Sequence, residues 1–522
     1  MSTPPAPSSS FNLAEHLIAR NAARAGRIAY IDDRGRITYG ELAQRIRRFA
    51  SALREHGLRR EERVLLLAHD SVDWPVAFLG AIDAGIVPVA VNTLLTAADY
   101  AYILGHSRAR AAIVSAALLP TLERALQGGA NDIETVWVIG APATPERRDF
   151  GDDVAQAQML HAKPASTHAD DVAFWLYSSG STGAPKGAVH THANAYWTDA
   201  LYAQNVLKLT ENDICFSAAK LFFAYGLGNA LTFPLAAGAT TVLMAERPTP
   251  RSVFRTLTEH RATVFYGVPT LYAAMLAAPE LPARADVAMR VCISAGEALP
   301  RDIGERFTAH FGTEILDGIG STEMLHIFLS NRAGSVRYGT TGVPVPGYDV
   351  ELRGEDGRPV ADGEVGDLYI RGPSAALMYW TNRDKSRDTF QGEWTKSGDK
   401  YVRRADGYYV YAGRGDDMLK VSGLYVSPFE VEGALVQHPA VLEAAVIGKP
   451  DADGLTKTKA FIVLKPGQAG DAGLEEALKS FVKDKLAPYK YPRYIEFIAE
   501  LPKTATGKIQ RFRLRERERD RA

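Results

Sequence analysis

The sequence predicts an α/β protein: two layers of alternating strands and helices, then a β-rich section, then a compact α+β unit at the carboxyl end. Three observations carry this. Short apolar runs alternate with helical stretches as far as about Gly342, turn-punctuated alternating sequence follows, and the final segment mixes strand-like runs with a long helical pattern. The length of 522 residues also exceeds what one hydrophobic core usually organises.

The elements follow in order. After the polar, proline-rich "MSTPPAPSSS", the run "FNLAEHLIARNAAR" has helical apolar spacing. "TYGELAQRIRRFASALREHG" repeats that spacing with a Thr cap and a closing glycine, and "RIAYIDD" lies between the two helices. "RVLLLAHD", "PVAVN" and "AAIVSAAL" are strand-like runs separated by helical stretches such as "DWPVAFLGAIDAG", the alternation of βαβ units around a mainly parallel sheet. "TVLMAE", "ATVFYGVP" and "RVCISAG" lead into helices in the same way and form the second layer. Beyond Gly342, "YDVELRGEDGRPV", "GEVGDLYIRG" and "DGYYVYAGR" carry alternating residues and Asp-Gly turns, which predicts a small barrel or sandwich. After the charged "GRGDD", the stretches "VEGALVQHP", "LEAAVIGKP", "KAFIVLKPG", "LEEALKSFVKDKLAP" and "PRYIEFIAELP" read as a separate α+β unit. The domain boundary is expected near Asp416, giving domains 1–415 and 416–522.

Composition narrows the function classes. With 60 basic and 61 acidic residues the formal charge is -1, which argues against nucleic acid as the main partner. Cys215 and Cys292 stand far apart with no CxxC or Cys/His cluster, so neither a disulfide framework nor a zinc site is indicated. The first residues lack the plan of a signal peptide, and no apolar run reaches ~20 residues. A cytoplasmic protein acting on a small ligand, with no membrane partner, is the expectation.

The chemistry concentrates in "YSSGSTGAPKG", Tyr177 to Gly187. Glycines let backbone amides converge, and amides with hydroxyls and a lysine make a pocket for phosphate oxygens. A Walker A loop requires G-x-x-x-x-G-K-[ST], whereas Lys186 here follows Pro185 and precedes Gly187. "DGIGSTEM" adds Glu323, a carboxylate able to hold magnesium against phosphates. "WTKSGD" ends in Asp399 and "YAGRGDDMLKVSG" supplies Arg414, while "PKTATGKIQR" presents Lys508 near the end of the chain. An acidic residue can bind ribose hydroxyls, and a lysine can stabilise a phosphorus-centred transition state. His190 and His192 in "VHTHAN" are two apart with no third ligand visible and read as structural. The mixed charges of "RFRLRERERDRA" read as a solvated end.

Taken together and in this order, "YSSGSTGAPKGAVHTH", "GSTE", "WTKSGD", "GRGDDMLKVSG" and "PKTATGKI" resemble the adenylate-forming superfamily of acyl-coenzyme A synthetases, peptide-synthetase adenylation domains and luciferases. The resemblance runs from about Phe11 to Arg513. It implies a large N-terminal domain and a small mobile C-terminal domain, with ATP, magnesium and coenzyme A in the reaction. By motif, Ser179, Ser181, Thr182 and Lys186 resemble the loop that grips the β- and γ-phosphates. Ala295, Gly296 and Glu297 of "SAGE", with Asp317 and Gly318 of "DGIG", resemble adenine-binding segments. Thr322 and Glu323 would contact phosphate and magnesium, Asp399 and Arg414 the ribose hydroxyls, and Lys508 the attacking carboxylate and α-phosphate. Asp416 matches the hinge position, and Lys420 and Gly423 would line the thiol channel after rotation.

The acid is expected to be set by "KLFFAYGLGNA" and the residues around "GSTEMLHIF". The first segment looks most like benzoate-coenzyme A ligase and relatives acting on substituted benzoates. Phe223, Ala224, Tyr225, His326 and Ile327 would shape a short flat pocket, with aromatic faces for a ring and space left by Gly226 and Gly228. No carboxylate sits in these two segments to hold a substrate ammonium. The aromatics also suit ordinary core packing, and a packed histidine suits position 326 equally well.

The expected activity is therefore ATP-dependent ligation of benzoate to coenzyme A through benzoyl-adenylate. Alternatives are a stand-alone adenylation enzyme that loads a carrier protein and a nucleotide-binding regulator without catalysis. The family's use of lysine acetylation also suggests an acetyltransferase and deacetylase acting on Lys508. The oligomeric state is left open, a dimer included.

Overall fold

The helical spacing after Thr38 becomes the helix Tyr39–Glu55 in the computed structural model, which describes residues 4–158, 163–180, 183–415, 417–421, 424–451, 456–486, 490–503 and 509–520. Thr38 and Glu41 cap it reciprocally, satisfying end N–H groups, and Leu42, Ile46, Phe49 and Leu53 form its buried face. The helix Asp73–Ala84 is buried along its whole length, as an apolar sequence of that kind requires, and Gly85 ends it at φ 78°.

The chain divides into two compact units: Met1–Val350 with Ile370–Lys396, and Glu351–Tyr369 with Ser397–Ala522. Among the described residues of the first unit, two large sheets form the predicted α/β layers. In one, the strands Thr240–Val242, Ile214–Ser217, Val264–Gly267, Val291–Ser294 and Ile315–Gly320 lie side by side and parallel. In the other, Val172–Gly180, Val87–Ala90, Arg63–Leu67, Ala109–Ser115 and Thr135–Ile139 do the same. Gly183–Thr191 then adds to this second sheet in antiparallel fashion, and Met378–Tyr379 adds to it in turn. Side chains such as Phe216, Phe265, Phe307 and Ile315 pack one core, and Leu65, Val89, Val114 and Trp175 another. Both cysteines are buried with free thiols, and burial pushes both thiols up, which keeps them protonated and inert.

The β-rich section supplies the short strands Asp349–Arg353, Val365–Arg371, Trp394–Arg403 and Tyr409–Arg414. In the second unit, Val441–Pro450 and Thr456–Leu464 form an antiparallel ladder, with Tyr494–Phe497 added in parallel. Alternate residues face opposite sides. Ala444 and Val446 join a core with helices Pro428–Val436 and Ala472–Lys485, whereas Ala445 and Ile447 pack with Leu514 of the helix Arg511–Arg519.

That last helix is solvated on one side, where Arg513, Glu516 and Arg519 are exposed, and docked on the other. On its docked side, charges are paired with residues of its own unit: Glu518 accepts from Lys459 at 2.5 Å and Lys449 lies 3.0 Å from it. Arg511 donates to Glu432 at 3.0 and 2.6 Å. The helix is docked by ion pairs around one leucine, so its polarity alone misleads. Among the described residues no helix is long and apolar enough to cross a membrane.

Candidate functional site

The parallel strands Val264–Gly267 and Val291–Ser294 end level with one another, and the neighbouring strand runs on to Gly320. Gly267 is opposite Ser294, and Ser294 opposite Asp317. In sheets of this kind ligands bind beyond the carboxyl ends of the strands. The loop leaving Ser294 carries Ala295, buried, then Gly296 at φ 92° and Glu297. The left-handed turn at Gly296 is accessible to glycine without strain, and its surroundings are open. Gly318, next to Asp317, lies against Ile327 and Leu329, where a Cβ would be 3.0 Å from each. Burial pushes the Asp317 carboxyl well above the carboxylate range.

The glycine-rich stretch lies in a hairpin. Val172–Gly180 and Gly183–Thr191 pair with Tyr177 opposite Gly187, Ser178 opposite Lys186 and Gly180 opposite Gly183. Ser179 lies on the first strand, while Ser181 and Thr182 are outside the described residues. The Tyr177 ring crosses Gly187, where a Cβ would sit 3.2 Å from Cζ. The Tyr177 hydroxyl is 2.6 Å from His106 Nδ1, and the other ring nitrogen of His106 is 2.8 Å from the Thr381 hydroxyl.

Thr322 and Glu323 occupy the turn between Ile315–Gly320 and Ile327–Ser330. Several groups fix this turn. The His190 Nε2–H donates to the Thr322 carbonyl at 2.8 Å, Ala376 N–H to the Glu323 carbonyl at 2.7 Å, and Ser374 Oγ–H to the Met324 carbonyl at 2.8 Å. The Tyr379 hydroxyl donates to Glu323 Oε1 at 2.6 Å, and the Lys186 ammonium lies 5.1 Å from the centroid of the same ring. Leu325 takes a left-handed conformation, φ 65°, as the chain turns toward His326.

His190 and His192 are each engaged by the fold. Burial lowers both to about 4, so both are neutral, and His192 Nδ1 accepts from the Leu13 N–H at 3.1 Å.

The substrate-side segment is held at both ends. Lys220 donates to the carbonyls of Met244 and Glu246, and Leu221 N–H donates to Asp70 Oδ1 at 3.2 Å. Phe223 is half-buried against Phe222 and precedes the short helix Ala224–Leu227. Ala224 is buried, and the Tyr225 hydroxyl reaches the carbonyls of Gly267 and Ile293, 3.2 Å from each. His326 Nε2 lies 3.2 Å from the Tyr225 carbonyl and 3.1 Å from Asn229 Oδ1, so Nε2 carries the proton and Nδ1 is an acceptor. Burial lowers the imidazole to about 3. The rings of Tyr225, Tyr202 and Phe233 surround it, with centroids 5.6, 5.5 and 4.5 Å away. Ile327 is buried on the strand that follows, opposite Gly320. The result is an uncharged, aromatic region with the unprotonated Nδ1 of His326 buried in it.

In the second unit Asp399 and Arg414 are direct cross-strand partners, and Arg414 donates to Asp399 Oδ1 at 3.2 Å. Lys420 lies on the strand Leu419–Val421. Asp416, Gly423 and Lys508 lie outside the described residues.

The structure therefore joins Tyr225 to His326 directly, Glu323 to Lys186 through Tyr379, and Asp399 to Arg414. The sequence reading missed Tyr379 and Asn229, while His190, read as structural, holds the Thr322 carbonyl. Asn229 stood inside the quoted aromatic segment, and a signal for it was the buried, glycine-flanked context; Tyr379 carried none.

Comparison with known proteins follows the same pattern. Residues 18–380 match the family described as AMP-binding enzyme, and residues 430–508 match the AMP-binding enzyme C-terminal domain. The chain is 58% identical over 513 residues to a benzoate–CoA ligase of Thauera aromatica, spanning 97% of this chain and 96% of that protein. It is 48% identical over 517 residues to a 4-hydroxybenzoate–CoA/benzoate–CoA ligase of Rhodopseudomonas palustris, spanning 97% and 94%. The solved structure of a benzoate CoA ligase from Burkholderia xenovorans LB400 superposes with a TM-score of 0.91 at 64% identity, covering 97% of this chain and all of that one.

Proposed function

We propose that this chain, which belongs to the family of AMP-binding enzymes, joins benzoate to coenzyme A at the expense of ATP through benzoyl-adenylate. The observation that carries the reading is its 58% identity, over nearly the whole chain, to a benzoate–CoA ligase. The neutral aromatic surroundings of Tyr225 and His326 agree with a flat acid that carries no ammonium group.

A benzoate oxygen attacks the α-phosphorus of ATP, the bond to the β-phosphate oxygen breaks, and pyrophosphate leaves. The thiol sulfur then bonds to the adenylate carbonyl carbon, the carbon–oxygen bond breaks, and AMP departs as the thiol proton is released. Ser179, Ser181, Thr182 and Lys186 hold the β- and γ-phosphates, with Thr322 beside them. Ala295, Gly296, Glu297, Asp317 and Gly318 receive the adenine, beside the carboxyl end of the strand Val291–Ser294 and the adjacent strand Ile315–Gly320. Asp399 binds the ribose hydroxyls with Arg414 as its partner. Phe223, Ala224, Tyr225, His326 and Ile327 surround the benzoate ring.

A hard cation that bridges phosphates needs few protein ligands and prefers oxygen. Glu323, a carboxylate anchored through one oxygen by Tyr379, fits magnesium and would hold it. Held there, magnesium would supply positive charge that offsets the phosphate charge. Lys508 places a further positive charge between the attacking oxygen and the α-phosphate. In the second step the small domain turns about Asp416, withdrawing Lys508 and bringing Lys420 and Gly423 to the pantetheine path. Acetylation of Lys508 by an acetyltransferase removes its charge and stops the first step until a deacetylase restores it. A cytoplasmic setting supplies ATP and coenzyme A together.

The test is a substrate panel of benzoate, hydroxy- and aminobenzoates, cinnamate, acetate and hexanoate, with AMP and thioester both measured. Benzoate preference with thioester product supports the reading. AMP without thioester moves the assignment to a carrier-loading enzyme, and no adenylation of any acid moves it to a regulator.

A further inference from the structure

The short strand Met378–Tyr379 lies far from the phosphate hairpin in sequence, yet it connects that hairpin to the "GSTE" turn. Tyr379 is paired with Ala188 in the hairpin's second strand, and Trp380 N–H donates to the Gly187 carbonyl at 2.8 Å. The Tyr379 side chain is 3% exposed and packs on Phe390, with ring centroids 5.5 Å apart. Its backbone N–H donates to Ser386 Oγ at 2.9 Å. A ring held this firmly sends its hydroxyl to one oxygen of Glu323 at 2.6 Å, the length of a charge-assisted O–H···O bond. Its face lies 5.1 Å from the Lys186 ammonium, within cation–π range.

We infer that Tyr379 is a positioning residue for the adenylation step, fixing the Glu323 carboxylate for a divalent cation and holding Lys186 beside the same phosphates. This rests on the reading of Glu323 as the cation's ligand. The terminal torsion of a glutamate is broad, so an unanchored carboxylate must be ordered when the cation arrives. A hydroxyl locked to one oxygen removes that cost in advance, as outer partners of metal ligands do elsewhere. Packing alone would need only the ring, so the hydroxyl and the ring can be separated by substitution.

The experiment titrates Mn2+ into the full-length enzyme with α,β-methylene ATP, which cannot be cleaved at the α-phosphorus, and follows unbound Mn2+ by electron paramagnetic resonance. Wild type, Tyr379→Phe and Glu323→Gln are compared, each first checked for an unchanged thermal unfolding midpoint. Tyr379→Phe keeps the ring and its contact with Lys186, and is expected to weaken Mn2+ binding about tenfold. Glu323→Gln is expected to weaken it more, and thioester formation from supplied benzoyl-adenylate should survive in Tyr379→Phe. Wild-type Mn2+ binding in Tyr379→Phe with weak binding in Glu323→Gln overturns the inference and leaves the Glu323 reading standing. Unchanged binding in Glu323→Gln overturns both. Loss of the thioester step in Tyr379→Phe, or a lowered unfolding midpoint, assigns the residue to general structure and also overturns it.

Discussion

The imidazole of His326 occupies the space that a side chain at Gly228 would need: a Cβ there would lie 2.3 Å from Cδ2 and 2.6 Å from Nε2. Real Cβ atoms do not approach so closely, so Gly228→Ala must displace the ring from its bonds to the Tyr225 carbonyl and Asn229. The expected result is a rise of about tenfold or more in the KM for benzoate, with the KM for ATP changed less than about twofold. Steady-state kinetics with each substrate varied separately checks this. An equal rise for both would mean that the substitution damages the unit as a whole.

The Tyr225 hydroxyl is committed to the edge of the sheet, between the carbonyls of Gly267 and Ile293. Ile293 also accepts from the Tyr272 hydroxyl at 2.9 Å, so one of these acceptors keeps a donor when Tyr225 loses its own. Tyr225→Phe is expected to cost about 1 kcal/mol of stability in urea unfolding and to leave the KM for benzoate nearly unchanged. A tenfold KM effect would instead place the hydroxyl on the substrate.

His192 provides a pH test of the fold. Burial lowers its imidazole from 6.5 to about 4, so between those values the unfolded chain binds a proton that the folded chain excludes. Its contribution is present above pH 6.5 and is lost as the pH falls toward 4. The destabilisation caused by His192→Asn should therefore be greatest near pH 7.5 and smaller at pH 5, read by denaturant midpoints. A difference that stays constant with pH would contradict a neutral, backbone-bound imidazole.

Lys508→Ala should depress adenylation about a hundredfold or more while sparing thioester formation from supplied benzoyl-adenylate. Single-turnover measurement of the two half-reactions distinguishes this from equal loss in both, which would remove the lysine from the first step.

Much of this was legible in the sequence because it is encoded locally. The Thr38 cap with Glu41, the four-residue strand before "SAGE" and the alternation in Val441–Pro450 each show their pattern within a few residues. Glu323, Asp399 and Arg414 were marked by motif. Tyr379 could not be marked, since its importance comes from pairing with Ala188 across a large sequence distance and from reaching Glu323 from the other side. His326 was marked as a pocket residue, but its protonation pattern was not, because it depends on Asn229 in a π-helical turn, Gly228–Thr232, that no simple periodicity announces. The docked side of the closing arginine-rich helix was not legible because charge alone does not reveal that Glu432, Lys459 and Glu518 are buried partners within the same unit.

The most direct measurement of the proposed chemistry uses benzoate labelled with oxygen-18 in its carboxylate, with ATP, magnesium and coenzyme A, and mass spectrometry of the products. Attack of the carboxylate on the α-phosphorus predicts one heavy oxygen in AMP, one retained in the thioester and none in pyrophosphate. Unlabelled AMP, or label appearing in inorganic phosphate with ADP, would contradict the adenylate route.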